Sequence, residues 1–393
     1  MRFLILDTGY AHFLTWLYAQ NPGLEKKSYD TQAAVRTESL FGQVAFYADS
    51  LRKLGHEAWD IEPNNEFMQK AWAREHGIPV GKNWRWEARL RKGVVPWLSA
   101  VKDQTWLYDI LAAQIRYYKP DVLVNYAMHL RSTFFADIKP YLRLLVGNHG
   151  CPFTEGGDFG LGPYDLVLSV VDNFVDYFRN QGKKSELIRL SFEPAVLGRL
   201  GNRRPSVPVS FVGNLYACHA SRIRWLEYVS EKVPVRIWTA SSAGLRSQSP
   251  VLRHRQFAVW GVDMYEILKR SALTLNHHVD IADDYAGNLR LFEATGVGTL
   301  LVTDWKKNLH EMFEPGKEVV AYRTPEECVE MIRYYLEHED ERQAIARAGQ
   351  QRTLRDHTCR RRMEELVNIV EKYLRPSAAQ RGRGSLPATP IQT

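Results

Sequence analysis

Cysteine is scarce: there are four in 393 residues, at 151, 218, 328 and 359, with no CxxC pair and no Cys/His cluster at zinc spacing. Thiols so scattered argue against a disulfide scaffold and fit a reducing compartment. No apolar run approaches the ~18 residues of a membrane span. The opening MRFLILDTGY has one Arg and only four apolar residues before Asp7. That is the pattern of a buried strand rather than of a secretory leader, and the expected location is the cytoplasm. A large excess of one charge is also missing, since 52 Lys and Arg against 45 Asp and Glu leave +7. Residues 201–393 hold 28 basic and 23 acidic side chains, a surplus of five, so an anionic ligand is expected on the second half. No basic stripe with interleaved aromatics accompanies this charge, which argues against a nucleic-acid binder.

What is present reads as a globular α/β protein. Apolar residues make up 45% and charged residues 25%, enough for a sizeable core, and the length suggests two domains. Short apolar strands are expected at Phe3–Leu6, His56–Ile61, Asp121–Tyr126, Leu144–Gly147 and Leu166–Ser169, with helical stretches between them. After Gly201-Asn202-Arg203-Arg204-Pro205, a polar stretch without periodicity, the rhythm restarts at Val209–Val212, Val235–Trp238, Leu273–Asn276 and Thr299–Val302. Thr324-Pro325-Glu326-Glu327 is a capping box. Cys328, Met331, Ile332, Tyr335 and Leu336 follow it at helical spacing. This divides the chain into a first domain over 1–200, a second over 207–357, a helix over 358–375 bracing the first domain, and a disordered tail over 376–393. A Trp- and Arg-rich insertion at about 62–105 is expected to be mostly helical. Its Trp72, Trp84 and Trp86 could stack on a sugar or pack in a core. Arg333, Arg342 and Arg347 read as solvated helix faces.

The densest chemical signal is Ala286-Gly287-Asn288-Leu289-Arg290-Leu291-Phe292-Glu293-Ala294-Thr295-Gly296-Val297-Gly298. A glycine turn opening a helix offers backbone N–H groups to a phosphate. Arg290 and Glu293 share a helix face, as a phosphate-binding cation and a hydroxyl-binding carboxylate would, or as a plain surface ion pair. Gly213-Asn214 and His278 follow strands, where open α/β sheets bind ligands. Asp280, Asp283 and Asp284 form an acidic group. Asp7, Gly9 and His12 follow the first strand, and His129 and His149 follow later ones; a His or Asp among them could act as a base.

Residues 207–375 resemble the GT-B glycosyltransferases, specifically the C-terminal domain of the spore-maturation-protein-B-like group. The resemblance is carried by Phe211-Val212-Gly213-Asn214, Leu275-Asn276-His277-His278, Asn288–Ala294 and Phe313-Glu314-Pro315-Gly316-Lys317-Glu318, in that order. It implies two Rossmann-like domains facing each other across a cleft, and glycosyl transfer from a nucleotide-diphospho-sugar to an acceptor hydroxyl. Retention of configuration and independence of metal or other cofactor are further implications. The acceptor would be a glycan, a glycolipid or a secondary metabolite, with peripheral membrane contact open. The expected donor site comprises Gly213, Asn214, Asn276, His278, Tyr285, Gly287, Asn288, Leu289, Arg290 and Glu293. Catalytic candidates are Glu293, Arg290, His129 and Asp7, and Gly9, His12 and His149 are acceptor-side candidates. In related retaining enzymes two Glu are separated by seven residues; Glu293 matches the second, and the first falls on Tyr285. A catalytically silent nucleotide-sugar-binding or scaffold protein of the same fold is the alternative.

Overall fold

The computed structural model describes residues 1–80, 84–91, 95–102, 104–150, 160–201, 205–216, 218–280 and 283–374. The tail read as disordered and Cys151 lie outside them, as do the side chains of Trp84 and Trp86.

The first sheet contains β1 (Arg2–Leu6) and β2 (Glu57–Ile61). A separate antiparallel hairpin, β3 (Trp84–Arg91) and β4 (Val95–Lys102), follows in sequence. The sheet then resumes with β5 (Val122–Asn125), β6 (Leu144–Asn148), β7 (Leu166–Ser169) and β8 (Ser185–Leu187). Its order is β2-β1-β5-β6-β7-β8, all parallel. Phe3, Leu4, Ile5 and Leu6 are fully buried, as expected of a parallel strand covered by helices on both faces.

The second sheet is built from β9 (Val207–Val212), β10 (Arg236–Trp238), β11 (Arg255–Gln256), β12 (Ser271–Leu275), β13 (Leu300–Asp304) and β14 (Val320–Tyr322). Its order, β11-β10-β9-β12-β13-β14, is the doubly wound arrangement. The order reverses between β1 and β5 in the first sheet and between β9 and β12 in the second. Ligand crevices form at the carboxyl ends of strands at such reversals.

The chain crosses between the domains twice at one place. Phe192 N–H donates to His357 O at 2.8 Å, and Cys359 N–H donates back to Phe192 O at 2.9 Å. The helix Cys359–Leu374 then packs on the helix Val44–Lys53 and on β6, which returns the end of the chain to the first domain.

The insertion is not mostly helical. The helix Glu66–Glu75 is followed by the β3–β4 hairpin, whose first strand alternates apolar and charged residues with a period of two over 84–91. Trp72 is core: it is buried, with its ring stacked on His76 at 4.0 Å. Arg342 is not solvated either; it is buried, donating from Nη1 to Tyr335 O at 2.6 Å.

Candidate functional site

Two adjoining cavities occupy the space between the sheets. The larger, about 440 Å³, lies over the carboxyl ends of β1, β5 and β12, with Asp7, Gly9, Tyr126 and His278 in its wall. The other, about 400 Å³, lies over β9 and β10 and is walled by Gly213, Asn214, Arg222, Trp238 and Trp260. They meet at Tyr10, Phe41, Asn288, Leu289 and Glu293. Both volumes suit a small-molecule ligand, and both sit where each sheet reverses its strand order.

The turn before the helix Arg290–Gly296 is clasped from below. Asn308 Nδ2 donates to Ala286 O at 3.0 Å, and Ala286 N–H donates to Asn308 Oδ1 at 2.6 Å. Gly287 needs to be glycine here, because a Cβ would lie 2.5 Å from Val171 Cγ1 in the first domain. Asn288 and Asn276 pair through their amides at 2.7 Å, and Asn276 also donates to Thr303 Oγ1 at 2.9 Å.

Arg290 and Glu293 do form an i,i+3 ion pair, Nη1 to Oε2 at 2.8 Å, but a buried one rather than a solvated one. Arg290 Nη2 also donates to Val212 O at 3.0 Å, while its buried Nε has no hydrogen-bond partner. Burial raises the Glu293 carboxyl above its ordinary value, against the opposing pull of Arg290 and the Tyr265 hydroxyl. Arg222 was not legible in the sequence. It stands in the helix Ala220–Lys232, donating from Nε to His277 O at 2.9 Å and from Nη1 to Asn214 O at 3.4 Å, which aims its guanidinium at the wall of the second cavity. Burial lowers its pKa.

On the facing wall, Asp7 follows β1 directly and accepts from Thr8 N–H at 2.8 Å. Burial raises its carboxyl to about 6; the Thr8 hydrogen bond opposes this, Glu62 adds to it, and Arg36 opposes it in turn. Arg36 is itself shared between Asp60 and Glu62. Gly9 is held through Asn64, which accepts from its N–H at 2.9 Å and donates to its O at 2.8 Å.

Several other candidates stand elsewhere. Tyr285 is under Lys307, whose Nζ is 3.9 Å from the ring centroid, and lines neither cavity, because the clasped turn faces it away. His12 is on the exposed face of the helix Ala11–Gln20, whose opposite face sends Phe13 to the cavity. His129 is exposed on a turn after β5 and lines neither cavity. His149 is buried edge-on to Phe174 and Phe178, and burial lowers it to about 4. Of the acidic group, Asp280 caps Ser221 N–H at 3.2 Å. Among the described residues no group of three or more His, Cys, Asp or Glu is arranged to hold a metal ion.

Solved structures share this architecture along nearly the whole chain. Anabaena HepE, in a complex with UDP-glucose, superposes with a TM-score of 0.59 at 13% identity, covering 95% of this chain and 100% of that one. The chain has the GT-B fold. A glycosyltransferase from Rickettsia africae gives 0.57 at 12% identity over 96% and 99% of the two chains. Sucrose-phosphate synthase from Thermosynechococcus elongatus gives 0.56 at 10% over 95% and 98%. Residues 200–368, most of the second GT-B domain, match the family model described as glycosyl transferase-like. No curated protein matches the chain in sequence. Among the described residues no helix is long and apolar enough to cross a membrane.

Proposed function

We propose that this protein transfers a glycosyl group from a nucleotide-diphospho-sugar to an acceptor hydroxyl. The observation that carries the reading is the pair of joined cavities at the strand-order reversals, with the clasped Gly287–Leu289 turn and the buried Glu293 where they meet. Two further findings support it: the glycosyl transferase-like match over residues 200–368, and neighbours solved with UDP-glucose or with UDP and GlcNAc.

In this reading the second cavity takes the nucleotide. Trp238, Trp260 and Phe211 supply aromatic surface for a base, and Gly213-Asn214 lets the chain approach closely. Arg222 meets the diphosphate, where negative charge grows as the glycosidic bond breaks. Arg290 orients Glu293, which accepts from ribose hydroxyls. The larger cavity takes the transferred sugar and the acceptor, a glycan, glycolipid or secondary metabolite. Fixed cations and backbone N–H groups stabilise the leaving diphosphate without a metal. The narrower kinship with the spore-maturation-protein-B-like group rests on the block Asn288–Ala294, and retention of configuration follows from the same resemblance.

One observation favours the opposite outcome. Asp7 faces the larger cavity as a carboxyl that titrates near 6, where it could take the proton of an attacking hydroxyl in an inverting reaction. The decisive experiment has two stages. Thermal shift against nucleoside diphosphates and their sugars identifies a donor, since a ligand that binds only the folded state raises the melting temperature. NMR of the product then gives its anomeric configuration. A protein stabilised by a nucleotide-sugar that yields no glycosylated product with any acceptor class would be the silent binding protein instead.

A further inference from the structure

We propose that His278 is the side chain of the donor domain that reads the transferred sugar, bonding one of its hydroxyls through Nε2 while Asp304 fixes the ring. The inference rests on the nucleotide-sugar reading and deepens it.

The ring is held from one side. His278 follows β12, and its Nδ1 lies 2.6 Å from Asp304 Oδ1 at the end of β13. Its backbone N–H donates to both Asp304 carboxyl oxygens at 3.1 Å. Thr303 Oγ1 donates to the same carboxylate at 3.2 Å, and Lys306 Nζ stands 3.5 Å away. Burial alone would push Asp304 up, but His278, His277 and Lys306 hold it well below the usual carboxylate range. An anionic acceptor at Nδ1 keeps a proton on that nitrogen and fixes the orientation of the ring. Nε2 is then the free polar atom of the ring.

The other side of the ring is unmatched. The His278 side chain is 1% exposed, and its Nε2 has no hydrogen-bond partner. Buried nitrogens are nearly always paired, so an orphan in a cavity wall points to a ligand. The other polar side chains that the second domain sends into this cavity are engaged. Asn288 is bonded to Asn276; Glu293 is paired with Arg290 and hydrogen-bonded to Tyr265. Tyr285, at the first position of the paired-glutamate spacing, faces away under Lys307. His278 is therefore the group left to meet a sugar hydroxyl, which can donate to Nε2 or accept from it.

The test measures affinity for two matched pairs, UDP with UDP-glucose and GDP with GDP-mannose, by calorimetry. For the pair that binds, His278→Phe should weaken the nucleotide-sugar about tenfold and leave the bare diphosphate unchanged, whereas His278→Gln, which keeps a polar end at similar reach, should recover part of the loss. Deoxy analogues of the bound sugar then name the hydroxyl: one should bind wild type about as weakly as the parent binds His278→Phe, and be indifferent to the substitution. Equal weakening of sugar and diphosphate in both variants would make His278 structural. No change in either ligand would overturn the proposal. A wild-type protein that binds neither pair overturns the donor reading itself, and the inference with it.

Discussion

Gly261 of the second domain lies so close to Ser39 of the first that a Cβ would fall 1.8 Å from the Ser39 carbonyl oxygen. The neighbouring Val262 N–H donates to that oxygen at 3.1 Å, and Gly261 itself has φ +53. Gly261→Ala should therefore lower the melting temperature through two causes. One is the left-handed backbone, which costs a side-chain-bearing residue roughly 1–2 kcal/mol. The other is displacement of the interdomain contact. Gly23→Ala is the control, since Gly23 has φ +86 with nothing near its missing Cβ. Differential scanning calorimetry should show a clearly larger loss at Gly261; equal losses would mean the contact with Ser39 contributes nothing.

Arg222 and Glu293 should separate by ligand. Arg222→Ala removes a charge-assisted contact, about 1.5–3 kcal/mol, and should weaken UDP and inorganic pyrophosphate alike. Glu293→Gln turns one acceptor oxygen into a donor and should weaken UDP by roughly 5- to 150-fold. Pyrophosphate has no ribose, so its binding should stay the same. Calorimetry on the four combinations decides; a loss of pyrophosphate binding in Glu293→Gln would indicate damage to the helix rather than to a ribose contact.

Asp7 gives a pH dependence with a definite sign. Its folded-state pKa of about 6 lies above the ordinary 3.8. The folded state therefore holds the proton more tightly, and this favourable contribution is complete below about 3.8. It is lost as pH rises through 6, by an amount on the order of 2–3 kcal/mol. Asp7→Asn removes the ionisation, so its stability relative to wild type should increase from pH 4 to pH 8. Denaturant unfolding across that range checks it, and a pH-independent difference would show that Asp7 titrates normally.

Transfer should persist in EDTA, because Arg222 and the Gly287–Leu289 turn are proposed to carry the diphosphate charge. Loss of activity in chelator with recovery in magnesium or manganese would give the Asp280, Asp283 and Asp284 group a role after all.

The larger part of the fold was legible because the strands of a doubly wound sheet are short apolar runs: Phe3–Leu6 and Leu144–Gly147 fall in strands, and Leu273–Asn276 overruns β12 by one residue. β8, β11 and β14 have two or three residues each, too few to show a period. At the site, Gly213, Asn214, Asn288, Leu289 and Glu293 were placed by local turn-and-helix chemistry, and they do line the cavities. Arg222 and Glu62 were not. Each reaches the cleft through contacts distant in sequence, and Arg222 looks like any helix-face cation until His277 O and Asn214 O fix it. His12 and His129 show the converse error: nearness to a strand end does not say which way a side chain turns.

The helix Cys359–Leu374 gives the first domain an unusual dependence on the order of synthesis. Met363, Leu366 and Val370 are buried in one core cluster with Phe46, Tyr47 and Leu51 of the helix Val44–Lys53. That face of the first domain stays uncovered until the whole second domain has been made. A ribosome-bound chain of about 200 residues thus exposes apolar surface of the kind that makes folding intermediates prone to aggregate. Fragments cut at the sequence boundary near residue 201 should inherit the same problem, while a circular permutant that joins residues 359–374 directly to the first domain should not.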